Sequence, residues 1–312
     1  MKQKLVIICG PTASGKTALA VSVAQNLDGE IISADSMQVY RGMNIGTAKP
    51  SEQERGGIPH HLLDCAAPGE DFGAARYQAM ARAAISDIAG RGKLPILCGG
   101  TGLYISATVY PLTFSDAQPN EDLRTELSQY AEKHGNEALH QRLFESDPKA
   151  AAEIHPNNVR RVIRALERVN VKPDDSQQND LFNGNSLYDL AWVGLTMDRS
   201  VLYRRIDERV EAMMSQGLWE EVQSLRNRLA PGSTALQALG YKELLQAIEG
   251  QVSLAEAVDR IKTGTRNYAK RQLTWFRREG GIRWFDPTAF ASKDQLTEDV
   301  CGYIRSALHM SE

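Results

Sequence analysis

The stretch Leu5-Val6-Ile7-Ile8-Cys9-Gly10-Pro11-Thr12-Ala13-Ser14-Gly15-Lys16-Thr17 decides the fold. An unbroken apolar run of strand length passes into G-x-x-x-x-G-K-T and then into the helical pattern of Ala18 to Leu27. Strand, glycine-rich turn and helix in that order aim the backbone N–H groups of the turn at one anion, where the helix dipole also favours negative charge. Lys16 adds a point charge that reaches outer phosphates, and the Thr17 hydroxyl is placed to ligate Mg²⁺ beside them. Gly10, Pro11, Thr12, Ala13, Ser14, Gly15, Lys16 and Thr17 are therefore read as a phosphate-binding loop. Any pyrophosphate compound fits such a nest, so the loop alone leaves its ligand open.

Outward from the loop, further apolar runs at Ile31 to Ala34, Leu94 to Cys98 and Ala191 to Met197 read as strands, with a last one at Ile282 to Phe285. Their alternation with helical patterns predicts an α/β class, a phosphate-loop parallel sheet flanked by helices. Ligands of such sheets sit at the carboxyl ends of the strands. From Gln118 to Val169 the pattern turns wholly helical, with helices expected at Asp122 to His134, Glu137 to Phe144 and Asn157 to Val169. The polar stretch Lys172 to Ser186 reads as a return loop. The expected division is a core of residues 1–116 and 187–312, with C-terminal helices, and an all-helical insertion domain with its return loop at 117–186.

The 312 residues, 42% hydrophobic and 24% charged, suffice for one large or two modest globular units. No stretch reaches the ~18 consecutive apolar residues of a membrane span, and the first residues enter a core strand without a signal-peptide pattern. A cytoplasmic location and no membrane partner are expected. Cys9, Cys65, Cys98 and Cys301 are scattered without a C-x-x-C pair, which argues against a zinc site or a disulfide framework. The net charge of −3 argues against a generic polyanion binder, although it averages segments of opposite sign.

The second strand ends in Ser33-Ala34-Asp35-Ser36-Met37-Gln38, which puts Asp35 beside the phosphate loop. Facing a bound electrophile, that carboxylate is a general base for an incoming nucleophile; the plainer alternatives are a cap or a holder of metal-bound water. Gln38 has the planar amide that reads an adenine edge. The run Cys98-Gly99-Gly100-Thr101-Gly102 lets backbone approach a ligand and offers one hydroxyl, or is a tight turn only. Arg160, Arg161, Arg164 and Arg168 fall on one helical face, opposite Val162, Leu166 and Val169. Arg260 to Arg278 carries seven basic residues and no acid, with Lys262, Arg266, Lys270 and Arg277 on one face. Two acid-poor stripes in a weakly acidic chain point to a nucleic-acid backbone as partner. Arg205 and Arg209, one turn apart, are interleaved with acids, and surface pairing is as good a reading there. Asp71-Phe72-Gly73 matches a kinase tripeptide, but no H-R-D loop precedes it.

Taken together the chain resembles the bacterial tRNA dimethylallyltransferases, also called tRNA isopentenyltransferases, over nearly its whole length. The resemblance rests on Gly10 to Thr17, Asp35 to Tyr40, Gly46-Thr47-Ala48-Lys49-Pro50, Pro59-His60-His61 and Gly99 to Tyr104. It continues through His155-Pro156-Asn157-Asn158, Arg164-Ala165-Leu166-Glu167, Gly240-Tyr241-Lys242-Glu243 and Ala269 to Arg277, and is weakest at Val171 to Ser186. It implies transfer of a dimethylallyl group from dimethylallyl diphosphate to N6 of the adenosine 3′ of the anticodon, with Mg²⁺ as cofactor. The loop then holds a prenyl diphosphate rather than a nucleotide. Lys16, Thr17 and Arg209 would stabilise the leaving diphosphate, Asp35 would be the base and Thr101 would orient the substrates. The implied tRNA contacts are Asp35, Ser36, Met37, Gln38, Thr101, Val159, Arg160, Arg161, Val162, Ile163, Arg266, Lys270, Arg271 and Arg277, and the implied partner is an anticodon stem-loop met by a monomer. The rival readings are a small-molecule or nucleotide kinase, a prenyltransferase of free adenine nucleotides, and a non-catalytic RNA binder.

Overall fold

The computed structural model describes residues 2–114, 120–170, 185–228 and 234–310. Six strands, β1 (Lys4–Cys9), β2 (Gly29–Ala34), β3 (His60–His61), β4 (Leu94–Gly99), β5 (Asp189–Leu195) and β6 (Arg283–Phe285), form one sheet in the order β3-β2-β4-β1-β5-β6. Every neighbouring pair is parallel. Strands buried on both faces carry continuous apolar runs rather than alternation. That is why β1, β2 and β4, buried along nearly all their length, are legible in the sequence. The helices α1 (Lys16–Asn26) and α13 (Lys293–Ala307) cover one face, where Val6, Ile8, Ile96, Leu19, Val23, Val300 and Ile304 share a core. Alternate residues Leu5, Ile7, Ile32 and Leu97 are buried on the other face, where Tyr77 of α3 (Ala74–Gly90) donates its hydroxyl to Ser33 O at 2.8 Å. The expected phosphate-loop α/β class is thus the observed one.

The remaining helices of this part are α2 (Glu52–Arg55), α4 (Gly102–Val109), α9 (Arg199–Ser215), α10 (Leu218–Leu225), α11 (Tyr241–Ile248) and α12 (Leu254–Phe276). The second strand begins at Gly29 rather than Ile31, the fifth is displaced, and one edge strand goes unread in the sequence. The fifth strand begins at Asp189 and ends at Leu195, because its first two residues pair with β1 although only half-buried. The edge strand β3 has no apolar signal at all, being a pair of histidines held by β2.

The described residues fall into two compact units, one within Met1–Leu112 and Leu181–Glu312, the other within Thr113–Asp180. The smaller unit consists of α5 (Glu121–His134), α6 (Asn136–Ser146), α7 (Pro148–Glu153) and α8 (Val159–Asn170). Asn120 and Asp147 cap α5 and α7 by accepting from Leu123 N and Ala150 N. Leu127, Leu139, Leu143, Val162, Ile163 and Leu166 form its core. Val169, expected on the buried face of α8, is 38% exposed. The expected return loop of 172–186 lies mostly outside the described residues. Among the described residues no helix is long and apolar enough to cross a membrane.

Candidate active site

Sheet register brings three loops to one edge. Cys9 and Ala34 both pair with Gly99, so Gly10, Asp35 and Gly100 each step off the same rung. A Cβ at Gly99 would lie 2.1 Å from Ala34 O, which leaves glycine as the residue that fits. Gly10 turns the chain at φ +145°, with Leu195 O 2.7 Å from where its Cβ would be, and Gly15 caps α1 in the left-handed region at φ +94°. Gly15 offers no side-chain cap, so the first amides of α1 are open to an anion. The Ser14 hydroxyl, 1% exposed, has no hydrogen-bond partner. Lys16 Nζ donates to Pro11 O at 2.8 Å. Burial lowers the Lys16 pKa and nearby Arg209 lowers it further, against the Asp35 carboxylate, which raises it. Burial also pushes Cys98 up to about 11 and Cys9 up to about 12, so both thiols stay neutral beside that lysine.

The residue that holds the loop has no signal in the sequence. Gln272 of α12, 5% exposed, accepts from Thr12 N at 2.9 Å and donates to Gly100 O at 2.9 Å. One amide thereby ties the phosphate loop to the turn after β4. A Cβ at Gly100 would lie 2.1 Å from Gln272 Nε2, which explains that glycine. The partners are 260 and 172 residues away in sequence, beyond any local pattern.

Asp35 faces this loop across the strand ends. Its Oδ1 accepts from Met37 N at 2.9 Å and more weakly from Gln38 N at 3.4 Å, an arrangement that fixes one carboxylate oxygen. Thr101 Oγ1 accepts from Ser36 N at 3.0 Å and lies 3.4 Å from Ser36 Oγ. Burial raises the Tyr268 pKa, with the nearby Asp35 carboxylate adding to the rise. Asp35, Ser36, Met37 and Thr101 are therefore brought together. Gln38 differs from expectation: its Nε2 donates to Thr47 O and Ala48 O, both at 3.2 Å, and its Oε1 accepts from Ser33 Oγ at 3.0 Å. An amide so engaged shapes the loop; to reach a base edge it must leave these partners.

Two arginines of α9 approach the same loop. The Arg209 pKa is drawn down by burial, against the nearby Asp35 carboxylate and, less strongly, Glu54, which hold it up. Arg205 Nη2 lies 4.0 Å from the position of a Gly15 Cβ, and its Nη1 4.0 Å from Met197 Sδ. The interleaved acids look elsewhere: Asp207 accepts from Arg266 of α12 at 3.0 and 2.9 Å, and Glu211 accepts from Lys262. The Arg266 guanidinium is thus engaged in a helix-to-helix pair with Asp207. The acid that occupies it sits on a different helix, which an acid-free stripe in one helix could not disclose.

Lys270, Arg271 and Arg277 stay exposed, and Asn267, Lys270, Arg271, Thr274, Trp275 and Arg278 border a hollow of about 400 Å³ on α12. In the smaller unit Arg160, Arg161, Arg164 and Arg168 are exposed on α8, as the periodicity predicts. Val162 and Ile163 are core residues there at 0% and 6% exposure, and Val159 packs beside them. The Val162 and Ile163 side chains hold the arginine face from behind.

The available metal donors are oxygens: the Thr17 hydroxyl and the Asp35 carboxylate, at neighbouring loop ends. Among the described residues no cluster of three His, Cys, Asp or Glu could hold a metal by itself. This set fits Mg²⁺, which takes one or two protein oxygens and completes its shell with phosphate and water.

Residues 38–279 match the family model described as IPP transferase, and residues 3–66 match that described as Isopentenyl transferase. The chain is 51% identical to a tRNA dimethylallyltransferase of Geobacillus thermodenitrificans and 46% identical to that of Bacillus subtilis, each covering 99% of both chains. Its structure is similar to the crystal structure of the full-length tRNA isopentenylpyrophosphate transferase of Bacillus halodurans, with a TM-score of 0.76 and 46% identity over 99% of this chain and 97% of that one. A eukaryotic dimethylallyltransferase acting on tRNA matches with a TM-score of 0.76 and 30% identity over 91% of this chain and 74% of that one. A phosphate loop, a facing carboxylate and matches spanning the whole length lead to one conclusion: the chain belongs to the family of tRNA dimethylallyltransferases, the IPP transferases, which are prenyltransferases.

Proposed function

We propose that this chain transfers the dimethylallyl group of dimethylallyl diphosphate to N6 of the adenosine immediately 3′ of the anticodon in tRNA, releasing diphosphate. The observation that carries the reading is a phosphate loop with an unpartnered buried Ser14 hydroxyl, bordered by Lys16, Arg205 and Arg209, and faced by the Asp35 carboxylate. A charge set of that kind suits a departing diphosphate on one side and a proton to be removed on the other.

In this reading the loop amides, Ser14, Lys16 and the two arginines of α9 bind and orient the diphosphate. Thr17 is the residue that would hold Mg²⁺, which when bound neutralises charge on the phosphate oxygens. The bond between the allylic carbon and the diphosphate oxygen breaks while the bond from N6 to that carbon forms. N6 gives up one proton, and Asp35 accepts it through the oxygen not engaged by the Met37 amide. Thr101, held by Ser36, orients the acceptor. The adenosine must leave its stack to enter, at a cost of a few kcal/mol that backbone contacts offset. Lys270 and Arg271 on α12, Arg277 at its C-terminal end, and Arg160 and Arg161 on α8 supply those contacts.

The test is incubation of the purified chain with unmodified tRNA and dimethylallyl diphosphate, followed by nucleoside mass spectrometry. A dimethylallyl adenosine at that one position supports the proposal. An unmodified tRNA, with acceptor phosphorylated by ATP instead, overturns it in favour of a kinase.

A further inference from the structure

Two motifs of the chain, Gly46-Thr47-Ala48-Lys49-Pro50 and Gly240-Tyr241-Lys242-Glu243, have no part in the chemistry above, yet they meet. Their meeting point is Glu221 on α10. Its carboxylate accepts from three successive backbone amides: Asn44 N at 2.9 Å, Ile45 N at 2.8 and 3.1 Å, and Gly46 N at 3.1 Å. A fourth donor is the hydroxyl of Tyr241, at 2.5 Å. Tyr241 is fully buried, and burial raises its pKa with the Glu221 carboxylate adding to the rise, so it remains a donor. Its ring occupies the space beside Gly46, where a Cβ would lie 2.5 Å from Tyr241 Cε2. Three amides converging on one carboxylate is the geometry that elsewhere binds a free anion; here the protein supplies the anion itself.

What the carboxylate fixes is the next turn. With 44–46 pinned, the carbonyls of Thr47 and Ala48 are presented to Gln38 Nε2 at 3.2 Å each, and Ser33 Oγ closes the other end of that amide at 3.0 Å. The backbone of Gln38 and Met37 in turn holds Asp35 Oδ1. An independent brace is Lys49, whose Nζ donates to Tyr40 O at 2.8 Å, Asn44 Oδ1 at 3.0 Å and Asp64 Oδ1 at 2.6 Å. A continuous series of hydrogen bonds thus runs from Glu221 through 44–48 and Gln38 to Asp35.

We propose that Glu221 is a positioning residue for the reaction: seated by Tyr241, it sets the 44–48 loop and through Gln38 the orientation of the Asp35 carboxylate. The proposal rests on Asp35 being the base. A displacement of ~1 Å at a reacting group costs on the order of 100-fold in rate. The phosphate loop is braced separately by Gln272, so diphosphate binding should not follow.

The experiment is a double-mutant cycle on turnover with tRNA and dimethylallyl diphosphate, using Glu221→Gln, Gln38→Ala and both together. Glu221→Gln keeps the shape but offers its new NH₂ to amides that need an acceptor. The expected result is a kcat lowered by about 10- to 100-fold, with KM for dimethylallyl diphosphate and its binding stoichiometry unchanged, and a double variant no slower than the slower single one. Multiplying losses in the double variant, or a full kcat in Glu221→Gln, would overturn the proposal, as would a fall in binding stoichiometry that accounts for the whole loss. If Glu221→Gln does not fold, Tyr241→Phe removes one donor to the same carboxylate, and the same cycle against Gln38→Ala decides. Asp35→Asn is measured alongside: its full activity would refute the base itself, leaving the coupling of Glu221 to Gln38 to be read on its own.

Discussion

Replacement of Gln272 by alanine should separate the frame of the site from its chemistry. The side chain makes two buried hydrogen bonds of 2.9 Å, one to the phosphate loop and one to the turn after β4. Each is worth about 1 kcal/mol net, and leaving Thr12 N–H and Gly100 C=O without partners adds the larger cost of unmet polar groups, so the expected loss is about 2–4 kcal/mol. For a chain of this size about 1 kcal/mol moves Tm by roughly 2 °C, which gives a fall of about 4–8 °C by calorimetry or fluorescence. A phosphate loop released at Thr12 should bind dimethylallyl diphosphate about 10-fold more weakly by titration calorimetry, since 1.4 kcal/mol of lost preorganisation is one decade. Gln272→Glu should fare little better near neutral pH, because it keeps the acceptor for Thr12 N but sets an oxygen against Gly100 O. Unchanged Tm and unchanged diphosphate affinity in the alanine variant would refute the claim that this amide braces the site.

Asp35→Asn should lower kcat by about 10²- to 10⁴-fold while dimethylallyl diphosphate still binds, as expected for loss of a general base; single-turnover kinetics measure it, and a loss under threefold would remove Asp35 from that role. Lys270→Ala with Arg277→Ala should weaken tRNA binding and flatten its salt dependence by about one unit of log–log slope for each phosphate no longer neutralised, whereas Arg266→Ala should leave the slope alone and cost about 1 kcal/mol of stability through its half-exposed pair with Asp207. A pH effect is expected far from the site. The Glu30 carboxyl is held down to about 2 from the ordinary 4.5, mainly by Arg91, against its own burial and with help from His61. Because the folded pKa lies below the unfolded one, this stabilisation is complete above pH 4.5 and is lost as pH falls towards 2. The shift is equivalent to ~3 kcal/mol unscreened, and the exposure of Arg91 reduces it to roughly 1–2 kcal/mol. Acid unfolding of Arg91→Ala should therefore show a shallower stability loss across that window.

The features legible in the sequence are those encoded locally. The buried strands β1, β2 and β4 announce themselves as apolar runs, and Gly10, Gly15, Lys16 and Thr17 form a motif whose spacing is itself the geometry. The helices of the smaller unit follow from periodicity and caps, except α7, whose six residues are too few to show a period. The features that escape depend on residues that meet only after folding. Gln272 carries no signal of its bond to Thr12; Arg266 looks unpaired until α9 brings Asp207; and β3 is two histidines whose only strand credential is the neighbouring β2. The α8 segment is assigned to RNA by its charge, and a contiguous segment sweeps in buried Val162 and Ile163 with their exposed arginine neighbours. Arg205 stands beside Arg209 in the sequence, but acids at 207 and 208 obscure it until the fold turns Asp207 towards α12.

The central claim is that the nest of amides around Ser14 and Lys16 holds the diphosphate of an isoprenoid while Asp35 takes the proton of an RNA amine. Quench-flow measurement of diphosphate released and dimethylallyl adenosine formed, from one enzyme preparation with one unmodified tRNA, tests it most directly. The expected result is equal amounts of both products, formed at one rate, with Asp35→Asn slowing both together. Diphosphate release without base modification, or phosphoryl transfer from ATP at the same loop, would contradict it.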